Sequence, residues 1–204
     1  MVAAILSAAA VPATGQSAMG ADDSHLETVM VYARRLTPVS RVAATVTVID
    51  QARIETTLAT DIRELVRYEP GLSVRNDPFR FGLDTISVRG LGGNRVAVEV
   101  DGIPAAGGFA VGSYADSGRA YLDAAFVDRV EFLRGPASSL YGSDAIGGVV
   151  AMTTLTPESL LARGEGDYAV RTDAGFDSAS DGWRAAALAA GAIGGTQWLV
   201  GYSR

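Results

Sequence analysis

His25 is the only histidine in this 204-residue sequence, which also contains no cysteine and no lysine. A Ser-His-Asp arrangement would therefore take its base from the polar stretch Asp22 to His25, where no periodicity holds a side chain in place. Phosphate binding of the Walker type needs a lysine, and thiolate zinc or disulfide chemistry needs cysteines. The glycine run GLGGN at 90–94 contains G-x-G, but Arg95 stands where a third glycine would be, and a strand pattern follows where a helix is required. The acidic pairs Asp116 with Asp123 and Asp128 with Glu131 read as solvated surface groups. Hydrolase and NTPase chemistry are thus disfavoured, and no catalytic residue, metal ligand or intrinsic cofactor is assigned. What remains is recognition chemistry. Phe79 and Phe81 offer ring faces for a flat ligand and Arg80 a guanidinium for its carboxylate, while Phe109 and Tyr114 are single aromatics in a glycine-rich loop of the kind that carries binding function. The alternative role for the same residues is internal packing.

These side chains need a scaffold, and the stretch Val130 to Thr154, VEFLRGPASSLYGSDAIGGVVAMTT, organises it. Val130, Phe132 and Arg134 alternate with Glu131 and Leu133, and Val149 to Thr154 is β-branched, so both ends read as strands. Pro136 to Tyr141 suits one helical turn, while Gly142, Gly147 and Gly148 permit positive φ or close backbone approach. Upstream, Val42 to Ile49 reads as a strand closed by Asp50, and Gln51 to Leu58 as a short helix. A second helix is expected over Asp61 to Tyr68, capped by Thr60 and stopped by Pro70 and Gly71, with Ile62, Leu65 and Val66 facing the core. Leu72 to Arg75 is extended, and Asn76 to Leu83 reads as an exposed loop. Thr85 to Arg89 and Arg95 to Val100 alternate as strands, and Asp101 with Gly102 marks a tight turn before Ile103. Gly107 to Gly118 reads as a long surface loop, and Tyr121 to Asp128 as a short helix returning to the opening strand.

From Gly166 onward the pattern changes to segments of about ten alternating residues, the form taken by membrane-barrel strands. Tyr168 to Phe176, Trp183 to Ala192 and Thr196 to Arg204 are three such segments, with Trp198, Val200 and Tyr202 on one face. A large plugged barrel takes roughly 22 strands, so these three are read as the opening part of a longer barrel. A soluble meander is the competing reading. The net charge of −6 and a basic complement made wholly of arginine argue against a nucleic-acid surface. The N-terminal run MVAAILSAAAVPATGQSAMGA resembles the apolar and cleavage regions of a secretory signal without its basic start, and no apolar run reaches the ~18 residues of a membrane helix.

RGP at 134–136, LYGSDAIGGVV at 140–150 and DGIP at 101–104 closely resemble the plug domain of TonB-dependent outer-membrane receptors, with motifs in family order over roughly residues 27–160. The wording GRAYLDAAFVDRVEFLRGPASSLYGSDAIGGVV, followed by TTLTPESLL at 153–161, is most similar to the haem and haemoglobin receptor branch. The resemblance implies an α/β (α+β) plug with a mixed β-sheet and short helices, followed by the first antiparallel strands of a transmembrane β-barrel. The implied division is a signal peptide over 1–21, a mobile segment over 22–39, the plug over 40–160 and the barrel start over 167–204. It also implies the outer membrane of a Gram-negative cell as location.

Within that frame Arg89, Gly90, Asp101, Gly102, Arg134, Gly135, Pro136, Tyr141, Gly142, Gly147 and Gly148 carry the plug motifs and are its gating candidates. Glu27, Thr28, Val29, Met30, Val31, Tyr32 and Ala33 resemble the TonB box, the peptide offered to the energy-transducing TonB protein in the periplasm. An edge strand of the plug is the competing reading of that segment. Phe79, Arg80, Phe81, Phe109 and Tyr114 become apex-loop ligand residues. The implied ligand is haem or haemoglobin, with Tyr114 or Tyr121 in place of an axial histidine, and a ferric siderophore or cobalamin is the alternative. A soluble periplasmic binding module with the same fold is the alternative of another class.

Overall fold

The computed structural model describes residues 28–29, 37–38, 44–57, 59, 62–77, 82–107, 110–111, 115–116, 123–164, 166–177 and 182–204. In chain order the elements are β1 (Thr28–Val29), β2 (Thr37–Pro38), β3 (Thr45–Asp50), α1 (Gln51–Thr57), α2 (Ile62–Val66), β4 (Leu72–Asp77) and β5 (Gly82–Val88). Then come β6 (Val96–Val100), β7 (Ile103–Pro104), β8 (Ala110–Val111), β9 (Ala115–Asp116), β10 (Val127–Arg134), α3 (Ser138–Tyr141) and β11 (Gly148–Thr154). The chain continues through α4 (Pro157–Leu161) into β12 (Tyr168–Asp177), β13 (Gly182–Ile193) and β14 (Thr196–Ser203).

A five-stranded mixed sheet in the order β3-β10-β11-β6-β7 forms the centre. Its pairs are antiparallel except β11 with β6, which run parallel. Both faces of the central strands are covered, which is why β11 is apolar from Val149 to Met152 and β10 buries Val130, Phe132 and Leu133 on its two faces. On one face Ile49, Val130, Phe132, Val150, Met152 and Val98 pack under α1, α2 and β5 through Ile54, Ile62, Leu65, Val66, Ile86 and Val88. On the other, Leu133 and Val149 pack with Ala137 and Ala145 of the α3 segment, against half-buried Val46, Val48 and Tyr141. The expected short helices at 51–58 and 61–68 form at Gln51–Thr57 and Ile62–Val66, and Ile62, Leu65 and Val66 are buried as their spacing predicts. Thr60 and Asp61 lie outside the described residues.

Several local expectations need correction. The stretch read as a loop from Asn76 to Leu83 contributes to a hairpin, because β4 runs to Asp77 and β5 resumes at Gly82, with Asn76 opposite Leu83. Backbone pairing there continues past the apolar residues that reveal a strand in sequence. Arg89 leaves its strand for a turn at φ 50, and Ala44 is a bend, so β3 begins at Thr45, while Val42 and Ala43 lie outside the described residues. The loop over 107–118 contains the small pair β8 and β9. In place of a helix over 121–128, Asp123 caps a single 3₁₀ turn, accepting from Ala125 N at 2.9 Å, and β10 starts immediately after it.

The helix α4 had no place in the sequence reading. Its signal is the capping box of Thr156 and Ser159, whose hydroxyls each accept from the other residue's backbone N–H at 3.1 Å, with Pro157 at the first turn. Serine in place of the usual Glu or Gln hid it.

The strands β12, β13 and β14 form an antiparallel sheet whose register fixes two unlike faces. One carries Arg171, Asp173 and Arg184 together with the buried Leu188 and Ala190, which pack on Ala125, Leu155 and Leu160. The other carries no charged residue from Tyr168 to Phe176, Trp183 to Ile193 or Thr196 to Tyr202. Its large side chains, Tyr168, Val170, Phe176, Trp183, Ile193, Trp198, Val200 and Tyr202, are all exposed.

Candidate functional site

Arg134 ends β10 and sits in register with Thr45 of β3 and Gly148 of β11. The side chain is buried, and its guanidinium donates to Glu69 Oε2 at 3.0 Å, in the turn that stops α2. The same carboxylate accepts from Thr47 Oγ1 at 3.2 Å, and its other oxygen accepts from Arg53 of α1. Arg89 donates to Thr45 Oγ1 at 3.3 Å, which brings a third guanidinium to the same end of the sheet. A buried ion pair of this kind carries a heavy desolvation penalty, so its weight lies in what happens when one partner is lost. It ties the sheet, α1 and the α2 turn together at one point.

The glycines expected to allow close approach do so. A Cβ on Gly148, at φ 159, would lie 2.3 Å from Leu133 O, and one on Gly147 would lie 2.8 Å from Leu91 Cβ. Gly135 N donates to Gly147 O at 3.2 Å and Ala137 N to Ala145 O at 2.9 Å, closing the segment around α3 into a packed loop. Pro136 is exposed in it, Tyr141 is half-buried, and Gly142 ends α3 at φ 82.

The two remaining motif pairs are both turns with positive φ at two successive residues. Arg89 and Gly90 (φ 50 and 82) close a hairpin in which Val88 N donates to Leu91 O at 2.8 Å and Leu91 N to Val88 O at 3.0 Å. Asp101 and Gly102 (φ 51 and 77) join β6 to β7. The Asp101 carboxylate accepts from Thr154 N at 2.8 Å and Thr154 Oγ1 at 2.7 Å, closing the far end of β11. That clamp, and the pairing of Arg134 with Glu69, were missed in sequence because each joins residues 50 or more positions apart.

A second feature missed by sequence reasoning is the contact between the plug-like unit and the sheet β12–β14. Glu55 of α1 pairs with Arg163 at 3.2 Å and Arg171 of β12 at 3.6 Å, and Arg163 also reaches Asp128 at 3.5 Å. Asp128 is the extra residue of a bulge in β10, which turns it toward Arg163. Phe126 packs so closely on β14 that a Cβ on Gly201 would lie 2.5 Å from its ring. Three of the four carboxylates read as solvated are therefore structural, and the side chain of the fourth, Asp116, lies outside the described residues. Asp123 caps a turn, Asp128 is paired, and Glu131 is buried with Arg129 at 3.5 Å. Among the described residues no group of three or more His, Cys, Asp or Glu is placed to hold a metal ion.

Of the segment 27–33, the structure describes Thr28 and Val29, which pair antiparallel with Pro38 and Thr37. Glu27, Met30, Val31, Tyr32 and Ala33 lie outside the described residues, as do Phe79, Arg80, Phe81, Phe109, Tyr114 and Tyr121.

With this geometry in hand, the profile of the TonB-dependent Receptor Plug Domain matches residues 38–149. The Vitamin B12 transporter BtuB of Vibrio vulnificus is 34% identical over 137 residues, covering 65% of this chain and 21% of that protein. The FrpB iron transporter of Neisseria meningitidis superposes with a TM-score of 0.61 at 24% identity, covering 78% of this chain and 24% of that one. The siderophore receptor PiuA of Acinetobacter baumannii gives a TM-score of 0.56 at 19% identity, covering 78% and 20%. The two structural likenesses bear on fold alone, and the chain spans between 20% and 24% of the length of all three relatives.

Proposed function

The chain belongs to the TonB-dependent receptor plug family of outer-membrane receptors, and from that premise we propose that it is the plug and opening barrel wall of a receptor for energy-coupled uptake of a ferric siderophore or cobalamin. The proposed division is the plug over 40–160 and the barrel start over 167–204, preceded by a signal over 1–21 and a coupling segment over 22–39. The observation that carries the membrane part is the uncharged outward face of β12–β14 with its exposed aromatics. Its aromatic row Tyr168 and Trp198 lies eight residues along β12 from the row Phe176 and Trp183. At ~3.3 Å per residue this is about 26 Å along the strand, or roughly 20 Å along the membrane normal at a ~40° tilt. Such a span suits a barrel's apolar band. A soluble module would leave the same face as an apolar patch in water, which argues against that alternative.

The ligand class follows the relatives' names, which give vitamin B12, iron and a siderophore and do not include haem. Haem or haemoglobin is accordingly the second reading, supported by the wording around 118–150. In the proposed mechanism the plug closes the barrel lumen, Phe79, Arg80, Phe81, Phe109 and Tyr114 meet the ligand from outside, and TonB draws on residues 27–33. A short extended peptide can add a strand to a partner's sheet edge, and Thr28–Val29 is already extended. The motif residues from Arg89 to Gly148 hold the plug closed through the contacts described above. Growth of a strain whose only such receptor carries this chain tests the ligand class, with ferric siderophore, haem or haemoglobin offered in turn as sole iron source. Vitamin B12 uptake is scored separately. Growth on haem alone would overturn the siderophore or cobalamin reading.

A further inference from the structure

The outward face of β12–β14 is uncharged along its strands, and the next residue on that face is Arg204. Its backbone N and O pair with Ala185 at 2.9 and 3.0 Å, which fixes Arg204 beside Tyr202 and on the side of Trp183 and Val200. The guanidinium carbon stands 5.7 Å from the centroid of the Trp183 ring, and Trp183 shares the aromatic row with Phe176. A cation on a lipid-facing surface is unfavourable at the centre of the bilayer and favourable where it reaches the headgroups. An arginine laid on an indole is held at that level with its donor edge available, and five N–H donors suit a phosphate better than an ammonium would.

We propose that Arg204 and Trp183 form a headgroup site for an anionic phospholipid, with the phosphate on the guanidinium and the acyl chains along the small outward residues Ala185, Ala187 and Ala189. The proposal rests on the membrane-facing reading of this sheet and goes beyond it by assigning one lipid-binding position. Charge complementarity selects the occupant, because Arg204 is the sole charge on the outward residues from Tyr168 to Phe176, Trp183 to Ile193 and Thr196 to Arg204.

The test uses the receptor-length protein carrying this chain, reconstituted in phosphatidylcholine vesicles doped with phosphatidylglycerol. A photoreactive p-benzoylphenylalanine replaces Ala185 in one protein and Ala189 in another, and lipid adducts are identified by mass spectrometry. At position 185 the ratio of phosphatidylglycerol to phosphatidylcholine adducts should exceed the mole ratio by about fivefold, the effect expected of one arginine near a headgroup. Arg204→Gln should return it to the mole ratio, and Arg204→Lys should keep most of it. Heat-modifiable mobility on gels identifies the variants that fold. A ratio at 185 that matches the mole ratio, or that survives Arg204→Gln in a folded protein, overturns the site. Adducts at 189 report separately on the membrane-facing reading. They should form with both lipids, and if none form the face does not meet lipid.

Discussion

Arg134 and Glu69 stand 65 residues apart in the chain and meet at 3.0 Å with about nine-tenths of each side chain buried. The motif arginine is thus held by the acid of the α2 turn, and β10 cannot shift against α2 without exposing or orphaning a charge. Glu69→Ala should destabilise the fold by about 3–5 kcal/mol, because the Arg134 charge then stays buried without its partner, and Arg134→Ala should cost less, because Arg53 and Thr47 still bind Glu69. The pair Arg134→Met with Glu69→Leu should recover much of that loss. Urea unfolding of the single and double variants checks it, and additive losses would show that the two side chains act independently.

Gly148 and Gly107 make a matched test of close packing. Gly148→Ala sets a Cβ against Leu133 O at positive φ and should cost about 1–3 kcal/mol for backbone strain, with the clash added. At Gly107 a new Cβ would stay 3.7 Å from Asn94, so Gly107→Ala should change the unfolding midpoint little. Equal effects at both sites would contradict the packed-loop account.

Phe126 and Gly201 test the seam between the plug and β14. Gly201→Ala alone should destabilise, since the added methyl meets the Phe126 ring. Adding Phe126→Leu should restore part of the stability by opening space, measured as protease resistance of the receptor in detergent. No rescue would mean the seam adjusts without help from Phe126.

Much of this architecture is legible locally. Val130 to Thr154 shows two apolar strands around a Pro- and Gly-marked connection, and Ile62, Leu65 and Val66 show their buried stripe by spacing alone. The alternation after Gly166 likewise predicts three strands and their outward face. What stayed hidden depends on distant partners or on backbone. Nothing near Arg134 points to Glu69, nothing near Asp101 points to Thr154, and Gly201 gives no sign of the Phe126 ring it admits. The strand character of Asn76 and Asp77 comes from pairing with β5, which polar side chains do not advertise. The carboxylates Asp128 and Glu131 were misread for the same reason, since burial and pairing are set by elements elsewhere in the chain.

Energy coupling through residues 27–33 is the central claim, and uptake of a radiolabelled ligand by energised cells tests it most directly. Proline at position 30 removes a backbone donor and fixes φ, while leucine there keeps the strand-forming backbone. Cells whose only such receptor carries Met30→Pro should bind ferric siderophore or vitamin B12 as the parent does yet fail to accumulate it, and Met30→Leu should accumulate it normally. Accumulation at the parental rate with Val29→Pro and Met30→Pro combined would contradict the account and move the coupling site elsewhere in the chain.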